Sequence, residues 1–310
     1  MSRGAYIELR DLIRLRYQAR GFSYLPQQPV HSALSGRKRS RLRGRGLDFD
    51  ELRHYRPGDD IRNMDWRVTQ RTGSPFVRIY TEERDRPVWL VVDQRLNMFF
   101  GSQYQMKSVA AAQLAALTAW RVIGVGDRIG AVLFNDHRLQ FFKPARSSPS
   151  VMAWLEALVD MNNELAADAK WQPKQTALGE ALKALAPRLG HDGLVIIVSD
   201  FEGWDQQCLQ RIKDIRRSND VIAALVSDPL EQAIDPAHKL VVSDGTFQLE
   251  VNSEDDTAIT RYRNQYTQRL TDLTDTLKRH DIPLLTISTA SDVATQVQRK
   301  LGGAAGGRGA

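Results

Sequence analysis

Cysteine and long apolar runs are both scarce in this chain, and each scarcity excludes a class of protein. The 310 residues contain one cysteine, Cys208, so the chain has neither an internal disulfide framework nor a cysteine cluster for zinc. No apolar run approaches the roughly 18 to 20 residues that a helix needs to cross a bilayer. The first 20 residues are charged and lack the apolar centre of a signal peptide. These features predict a cytoplasmic protein without a membrane span.

Sequence motifs of common enzymes are also missing. The chain has no Gly-x-x-x-x-Gly-Lys-Ser/Thr loop for nucleotide phosphates and no Gly-x-Ser-x-Gly turn for a serine nucleophile. Cys208 falls in the middle of a predicted helix without an evident base beside it. The histidines stand in no metal-ligand spacing. We therefore predict a protein without catalytic activity and without a cofactor.

Positive charge is concentrated in the first quarter of the chain. Residues 1–86 hold 19 Lys or Arg against 11 Asp or Glu, whereas the whole chain has a net charge of +6. The densest basic stretch, Arg37 to Arg45, is predicted to be a loop. Because such a stretch can contact phosphates, a basic nucleic-acid-binding protein is the alternative function. No stacking aromatics interleave the basic residues, which argues against nucleic acid and favours an acidic protein partner or a solvated loop.

After residue 87, short apolar runs alternate with segments of helical periodicity. Val88–Val92 and Leu194–Val198 are continuous apolar runs, which are typical of buried strands. Asn135-Asp136-His137 is a hairpin signal between strands predicted at 128–134 and 139–142. Alternating strands and helices predict an α/β fold with a mostly parallel sheet and helices on both faces, to which the hairpin adds an antiparallel edge strand.

Two of the apolar strands end in aspartates. Asp93 ends the first strand, Asp200 follows the second, and Thr176 opens a predicted helix. In an open α/β sheet, ligands bind at the carboxyl ends of the strands. We therefore expect these three side chains to face the same crevice.

A dense polar block precedes the first buried strand. Pro57-Gly58 is a strong turn signal, and the arginines and aspartates around it predict a network of charge-assisted hydrogen bonds around Trp66. The candidate partner-binding residues of this block are Arg53, Tyr55, Arg56, Asp59, Asp60, Arg62, Asp65 and Trp66. Arg, Tyr and Trp are typical anchors of protein interfaces. Two alternatives stay open: a purely structural network that ties the N-terminal module to the main domain, and a nuclease-like cluster of Asp59, Asp60 and Asp65.

The polar block and the first strand together resemble a bacterial family known as "domain of unknown function fifty-eight". The family signature is Leu-Arg-x-Tyr-x-Pro-Gly-Asp-Asp followed by an arginine and Asp-Trp, and residues 52–66 are similar to it. The resemblance implies a von Willebrand factor A-like fold. It also implies an adaptor that works with MoxR-type AAA+ ATPases, and with other von Willebrand A proteins, in chaperone-like assembly.

The resemblance also implies a changed metal site. In von Willebrand A domains an aspartate, two serines, a threonine and a second aspartate hold Mg²⁺, which prefers oxygen ligands. The chain keeps Asp93, Thr176 and Asp200, but Arg95 and Asn97 stand in place of the serines. Asn97 can still offer an oxygen, whereas the arginine has only donors.

Three interpretations of this site stay open. In the preferred one, the Arg95 guanidinium replaces the metal and bridges Asp93 and Asp200. In the second, Arg95 points to solvent and the aspartates cap helices or bind loop amides. In the third, Mg²⁺ still binds.

The predicted organisation has three parts. They are a basic N-terminal module over residues 1–86, a von Willebrand A-like domain over residues 87–301, and a disordered tail over residues 302–310. The predicted function is a non-enzymatic interaction adaptor with a degenerate metal site.

Overall fold

A computed structural model describes residues 4–24, 47–82, 86–166, 171–232, 240–243, 248–251 and 256–302. The basic stretch Arg37 to Arg45 and the predicted tail beyond residue 302 lie outside these described residues. The chain divides into two units: residues 1–25 with 86–310 form the larger one, and residues 26–85 form the smaller one.

The strands of the described residues are β1 (Leu47–His54), β2 (Phe76–Glu82), β3 (Val88–Asp93), β4 (Ile129–Phe134), β5 (Leu139–Ala145), β6 (Leu194–Ser199), β7 (Asp220–Ser227), β8 (Leu240–Ser243), β9 (Gln248–Val251) and β10 (Leu284–Ser288). The α-helices are α1 (Leu9–Arg14), α2 (Trp66–Thr72), α3 (Lys107–Gly124), α4 (Ser148–Asn163), α5 (Ala177–Leu185), α6 (Gln206–Arg216), α7 (Pro229–Gln232), α8 (Asp256–Arg279) and α9 (Val293–Leu301). None of these helices combines the length and apolar character needed to cross a membrane.

A six-stranded sheet organises the larger unit. Its order is β10-β7-β6-β3-β4-β5, and every neighbouring pair is parallel except β4 and β5, which form the predicted antiparallel hairpin. The predicted α/β class, with a mostly parallel sheet and an antiparallel edge strand, is confirmed.

The sheet is apolar on both faces because its central strands are covered on both sides. Leu90 and Val92 of β3 face a core that includes residues of α3, α4 and α9. Trp89 and Val91 point the opposite way, into a core that includes residues of α5, α6 and α8. The alternation follows from the two-residue period of a strand. Burial on both faces explains why the strand sequence is continuously apolar.

The first helix, α1, belongs to the larger of the two compact units. Its Leu12 is fully buried, and the Leu12 carbonyl accepts a hydrogen bond from Trp120 Nε1 at 2.9 Å. The apolar side of this short helix is thus buried against α3.

Two helices differ in extent from the periodicity of their sequences. The pattern starts a helix at Ser102, but α3 begins at Lys107, because the Ser102 N–H and hydroxyl both bind the Asp228 carboxylate. The helical periodicity that starts at Ala177 extends to residue 189, whereas α5 ends at Leu185 and a 3-10 turn follows. Pro187 lies in that turn, and proline has no N–H with which to continue an α-helix.

The smaller unit contains an antiparallel pair, β1 and β2, with an irregular register between Phe49 and Glu51. A 3-10 turn, Ile61–Asn63, and helix α2 lie between the two strands in the chain. An isolated bridge between Met64 and Val77 joins this connection to β2.

Candidate functional site

The ends of β3 and β6 bring two aspartates to the same edge of the sheet. The strands pair in parallel, with Val92 opposite Val198, so Asp93 and Asp200 both lie at the carboxyl end. Both are buried, with exposed fractions of 0% and 2%. Buried carboxylates need charged or hydrogen-bonding partners, because the desolvation cost is otherwise prohibitive.

Arg95 supplies the first partner. Its Nη2 lies 2.7 Å from Asp93 Oδ2 and 3.6 Å from Asp200 Oδ1, and its Nε lies 3.0 Å from Asp93 Oδ1. The side chain is only 2% exposed. The guanidinium therefore lies inside the site, in ion-pair contact with both aspartates, and does not point to solvent.

Lys107, the first residue of α3, supplies a second buried cation that the sequence analysis missed. Its Nζ lies 2.7 Å from Asp200 Oδ2 and 2.6 Å from Glu231 Oε1. Tyr266 of α8 also donates its hydroxyl to Glu231, at 3.3 Å. Acids and cations thus alternate through the interior, from Asp93 by way of Arg95, Asp200 and Lys107 to Glu231.

Ser199 is a second residue that the sequence analysis missed. Its hydroxyl donates to Asp93 Oδ2 at 2.6 Å and accepts from the Phe201 N–H at 2.9 Å. The parallel pairing of Val92 with Val198 brings Ser199 beside Asp93, and the sequence of neither strand reveals this register.

Of the other two predicted site residues, Asn97 reaches the aspartates and Thr176 does not. Asn97 reaches the site, but its amide nitrogen donates to both Asp200 oxygens at 2.8 Å, so it offers no oxygen to a cation there. Thr176 is exposed, and its hydroxyl donates to Glu180 at 3.0 Å. The structure therefore joins Asn97, but not Thr176, to the two aspartates by hydrogen bonds.

Burial and ion pairing oppose each other in setting the pKa values of this cluster. Burial by itself would raise the pKa of Asp200, but Lys107 and Arg95 lower it to about 2. For Asp93 burial is the largest influence and raises the pKa, against the lowering effect of Arg95. Burial would lower the pKa of Lys107, yet Asp200 and Glu231 raise it above the ordinary value of a lysine. Both cations consequently stay charged at neutral pH.

The side chains at the strand ends do not fit the Mg²⁺ that the fold family implies. Mg²⁺ requires a near-octahedral shell of oxygens. Here two positively charged groups and the Asn97 N–H point at the carboxylate oxygens that would form that shell. Among the described residues, no group of three or more His, Cys, Asp or Glu is arranged to hold a metal.

The network fastens the loop that connects β3 to α3. Asp136 accepts the Leu96 N–H at 2.7 Å, and Asp228 accepts the Ser102 N–H at 2.8 Å. Gln94 binds Ser108 and Asn162 in the interior. Residues 94–108 are consequently held at several points.

Two grooves adjoin this region. One, with a volume of about 760 Å³, lies between the loop after β6 and helix α8 and is lined by Asp200, Trp204 and Arg269. The other, of about 1330 Å³, lies among α1, α3 and α4 and is bordered by Tyr6 and Tyr104. Both tyrosines are exposed, with fractions of 44% and 56%.

The polar block forms its network within the smaller unit. Arg53 Nη2 lies 2.9 Å from Asp59 Oδ1, and Arg78 Nε lies 2.8 Å from Asp65 Oδ2. The Asp60 carboxylate accepts the Arg62 N–H at 3.0 Å, and Asp65 also accepts N–H groups at the start of α2. The predicted network is present, but it does not enclose Trp66, which is 63% exposed. The three aspartates of the nuclease-like alternative cap separate turns, and no described residues join them into a metal cluster.

Comparison with known proteins supports the resemblance seen in the sequence. The family described as "Protein of unknown function DUF58" matches residues 51–274. The chain belongs to this family. The DUF58 match includes both the polar block and the strand-end cluster, so the two features are parts of one family domain.

Relatives of this DUF58 chain include uncharacterized proteins of Mycobacterium bovis and Mycobacterium tuberculosis. Each is 27% identical over 282 residues, which cover 88% of this chain and 84% of the relative. Both the polar block and most of the larger unit therefore have counterparts in these proteins.

Solved structures similar to this DUF58 protein include von Willebrand A domains. The SpRpn10 VWA domain has a TM-score of 0.36 and 9% identity, covering 69% of this chain and 95% of that chain. A von Willebrand factor type A protein from Catenulispora acidiphila has a TM-score of 0.31 and 12% identity, covering 49% and 35%. Both neighbours are von Willebrand A proteins, the kind of fold that the resemblance of the sequence implies.

Proposed function

We propose that this chain is a non-enzymatic protein-interaction adaptor that binds its partner through the strand-end face of the larger unit. The observation that carries the proposal is the position of Arg95 and Lys107 against the strand-end carboxylates. Because Asp93 and Asp200 are paired within the chain, neither carboxylate is available as a metal ligand or as a general base. The cluster is a degenerate metal site in which internal cations replace the ion.

The face above this cluster offers fixed aromatic side chains. Phe99 and Phe100 are half-buried and Tyr104 is 56% exposed, all in the loop that the buried network fastens. Aromatic residues on a fixed backbone lose little conformational freedom on binding, so they contribute efficiently to an interface. The buried charges thus act indirectly, by holding the shape of the binding loop.

The single cysteine lends no support to covalent catalysis. Cys208 lies on α6 and is 2% exposed. Burial raises the pKa of its thiol to about 11, so the reactive thiolate is scarce at neutral pH.

The proposed partner is a MoxR-type AAA+ ATPase, with other von Willebrand A proteins as additional members of the assembly. Membership in the DUF58 family supports this choice, through the family resemblance of residues 52–66. The nucleic-acid alternative depends on Arg37 to Arg45, which lie outside the described residues, and it serves as a competing outcome of the test.

Affinity capture from native lysate, with and without ATP, tests the proposal. Wild type is compared with Tyr104→Ala, which removes an exposed aromatic side chain without touching the buried charges. We expect wild type to recover a AAA+ ATPase, identified by mass spectrometry, and Tyr104→Ala to recover about ten-fold less. The matched control is Tyr17→Ala, because Tyr17 is 80% exposed and lies outside the loop.

Two outcomes contradict the proposal. One is equal recovery of the ATPase by wild type and Tyr104→Ala, which removes the strand-end loop from the interface. The other is recovery of nuclease-sensitive nucleic acid alone, which favours the basic segment as the binding element.

A further inference from the structure

The smaller unit displays apolar side chains on its surface. Leu52, Ile61 and Trp66 are 38%, 61% and 63% exposed, and all three lie within or beside the polar block. A large aromatic group left in water forgoes the stabilisation of burial, which is about 25 cal/mol per Å² of apolar surface. Three large apolar side chains are thus exposed within residues 52–66, and exposed apolar groups that lie together mark interaction sites more often than single ones do.

Two aspartates next to these apolar groups form hydrogen bonds within the same block. Asp59 accepts hydrogen bonds from Arg53 and from the Arg56 N–H, while Asp65 is only 8% exposed and binds Arg78. Backbone hydrogen bonds, followed by the arginine contacts, lower the pKa of both carboxyl groups. Their negative charge is therefore neutralised by the block itself.

Several arginines of the same segment are exposed without such a partner. Arg56, Arg62 and Arg67 are exposed, and no carboxylate of the described residues forms an ion pair with their guanidinium groups. Against these three guanidinium groups stands the exposed carboxylate of Asp60, which among the described residues accepts only the Arg62 N–H, so the exposed charge of this segment is positive on balance. Guanidinium groups bind carboxylates with two parallel hydrogen bonds, so an anionic partner matches this charge.

The backbone that presents Trp66 is fixed from both sides. Asp65 caps the start of α2 by accepting the Arg67 and Val68 N–H groups at 3.0 and 3.1 Å. The Asp65 N–H binds the Phe76 carbonyl at 2.8 Å, and Met64 bridges to Val77. Trp66 follows these two anchored residues directly. A fixed backbone around Trp66 lowers the entropic cost of binding through this side chain.

We propose that Leu52, Arg56, Ile61, Arg62, Trp66 and Arg67 form a docking surface, here called the Arg/Trp surface, for an acidic segment of a partner protein. The segment carries Asp or Glu side chains for the arginines and at least one large apolar side chain for Trp66 and its neighbours. This goes beyond the strand-end proposal, because the surface belongs to the smaller unit and does not involve the buried charge cluster.

Fluorescence anisotropy on the full chain tests this inference. The probe is a fluorescein-labelled peptide of alternating Asp and Glu with one central Phe, and a second probe replaces that Phe with Ser. We expect wild type to bind the first probe, with affinity that falls as salt is added. Trp66→Ala and the double variant Arg62→Ala/Arg67→Ala should each weaken binding by about ten-fold, and the Ser probe should bind more weakly to wild type.

The controls are Tyr17→Ala and Arg20→Ala, which remove an exposed aromatic group and an exposed arginine of the larger unit. They should bind the Phe probe like wild type. Thermal denaturation followed by circular dichroism should show all variants folded, because every substituted side chain is exposed.

Three results would overturn the inference. They are failure of wild type to bind the Phe probe, equal affinity of the wild type and both Arg/Trp-surface variants, and tighter binding of labelled duplex DNA that is lost in those same variants. The last result would assign the surface to nucleic acid. Tyr104→Ala should bind the Phe probe normally, so failure here is distinguishable from failure of the strand-end proposal.

Discussion

At the scale of single residues, Arg95 decides the chemistry of the strand ends. A buried guanidinium loses its hydration, and only close pairing with carboxylates offsets that cost. Arg95 achieves this through three side-chain hydrogen bonds to Asp93 and an ion pair with Asp200. A serine at this position would offer an oxygen to a metal ion, whereas arginine supplies the positive charge itself.

Replacing Arg95 tests this role. We expect Arg95→Ser to lower the free energy of unfolding by about 3 to 5 kcal/mol, because it leaves buried carboxylates without their cation. Urea denaturation measures the change. Arg217→Ala is the control, since Arg217 is 78% exposed and its pair with Asp214 should contribute less than about 1 kcal/mol.

A magnesium titration compares wild type with Arg95→Ser. If Arg95 occupies the place of the metal, millimolar Mg²⁺ should leave the melting temperature of wild type unchanged. Tight Mg²⁺ binding by wild type, or an Arg95→Ser variant as stable as wild type, would show that Arg95 does not replace a cation.

Lowering the pH from 4 toward 2 should weaken the ion pairs of Asp200, because its carboxylate becomes protonated in this range. Its pKa is lowered from 3.8 to about 2 in the folded state, so the ionised group stabilises the fold above pH 4 and this contribution is lost as the pH falls toward 2. The difference in unfolding free energy between wild type and Asp200→Asn should therefore shrink by about 2 kcal/mol over that range. Denaturant titrations at closely spaced pH values measure it. A difference that is flat, or that grows on acidification, would contradict the assignment.

At the scale of elements, the antiparallel edge of the sheet depends on a close approach between β4 and β5. Gly130 lies in β4 beside the register irregularity of this pair. A Cβ at Gly130 would lie 2.5 Å from the Phe142 carbonyl oxygen and 2.8 Å from the Pro144 nitrogen. Both contacts are with backbone atoms, which cannot move without disturbing the strand.

Gly130→Ala should therefore destabilise the larger unit by about 1 to 3 kcal/mol through overpacking. Thermal unfolding monitored by circular dichroism gives the change. Gly190→Ala is the matched control, because a Cβ there meets no atom within 4 Å. Equal stability of the two variants would show that β5 adjusts its position without cost.

At the scale of the whole molecule, the two units differ in how much structure supports each strand. β3 has a strand on either side and a core on each face, whereas β1 and β2 form a sheet of two strands. Two-stranded ladders are marginally stable by themselves, and local opening follows local support.

Native-state hydrogen exchange should show this difference. The amides of β3 and β6 should exchange near the global unfolding limit, and those of β1 and β2 at least about ten-fold faster. Mass spectrometry of peptic fragments resolves the two groups. Equal protection of both groups would indicate that the two units open together.

The sequence by itself determined that strands and helices alternate in the larger unit and that Asp93 and Asp200 lie where two strands end. Continuous apolar runs predicted β3 and β6, and the alternation of strands and helices predicted the α/β class. Both aspartates were found without the structure, because Asp93 directly follows one apolar run and Asp200 follows the other after a single serine. These features are local, since the period of an element and its terminal residues are set by neighbours in the chain.

Tertiary structure alone decided which charges meet. Lys107 binds Asp200 and Glu231 across 93 and 124 residues of sequence, and nothing in the local pattern of α3 indicates a buried ammonium group. The assignment of α1 to the larger unit and the exposure of Trp66 also depend on long-range packing. Local periodicity predicts an apolar side of a helix but not the surface that covers it. Which surfaces meet depends on the folding of the whole chain, because distant segments become neighbours only when the sheet and its helices assemble.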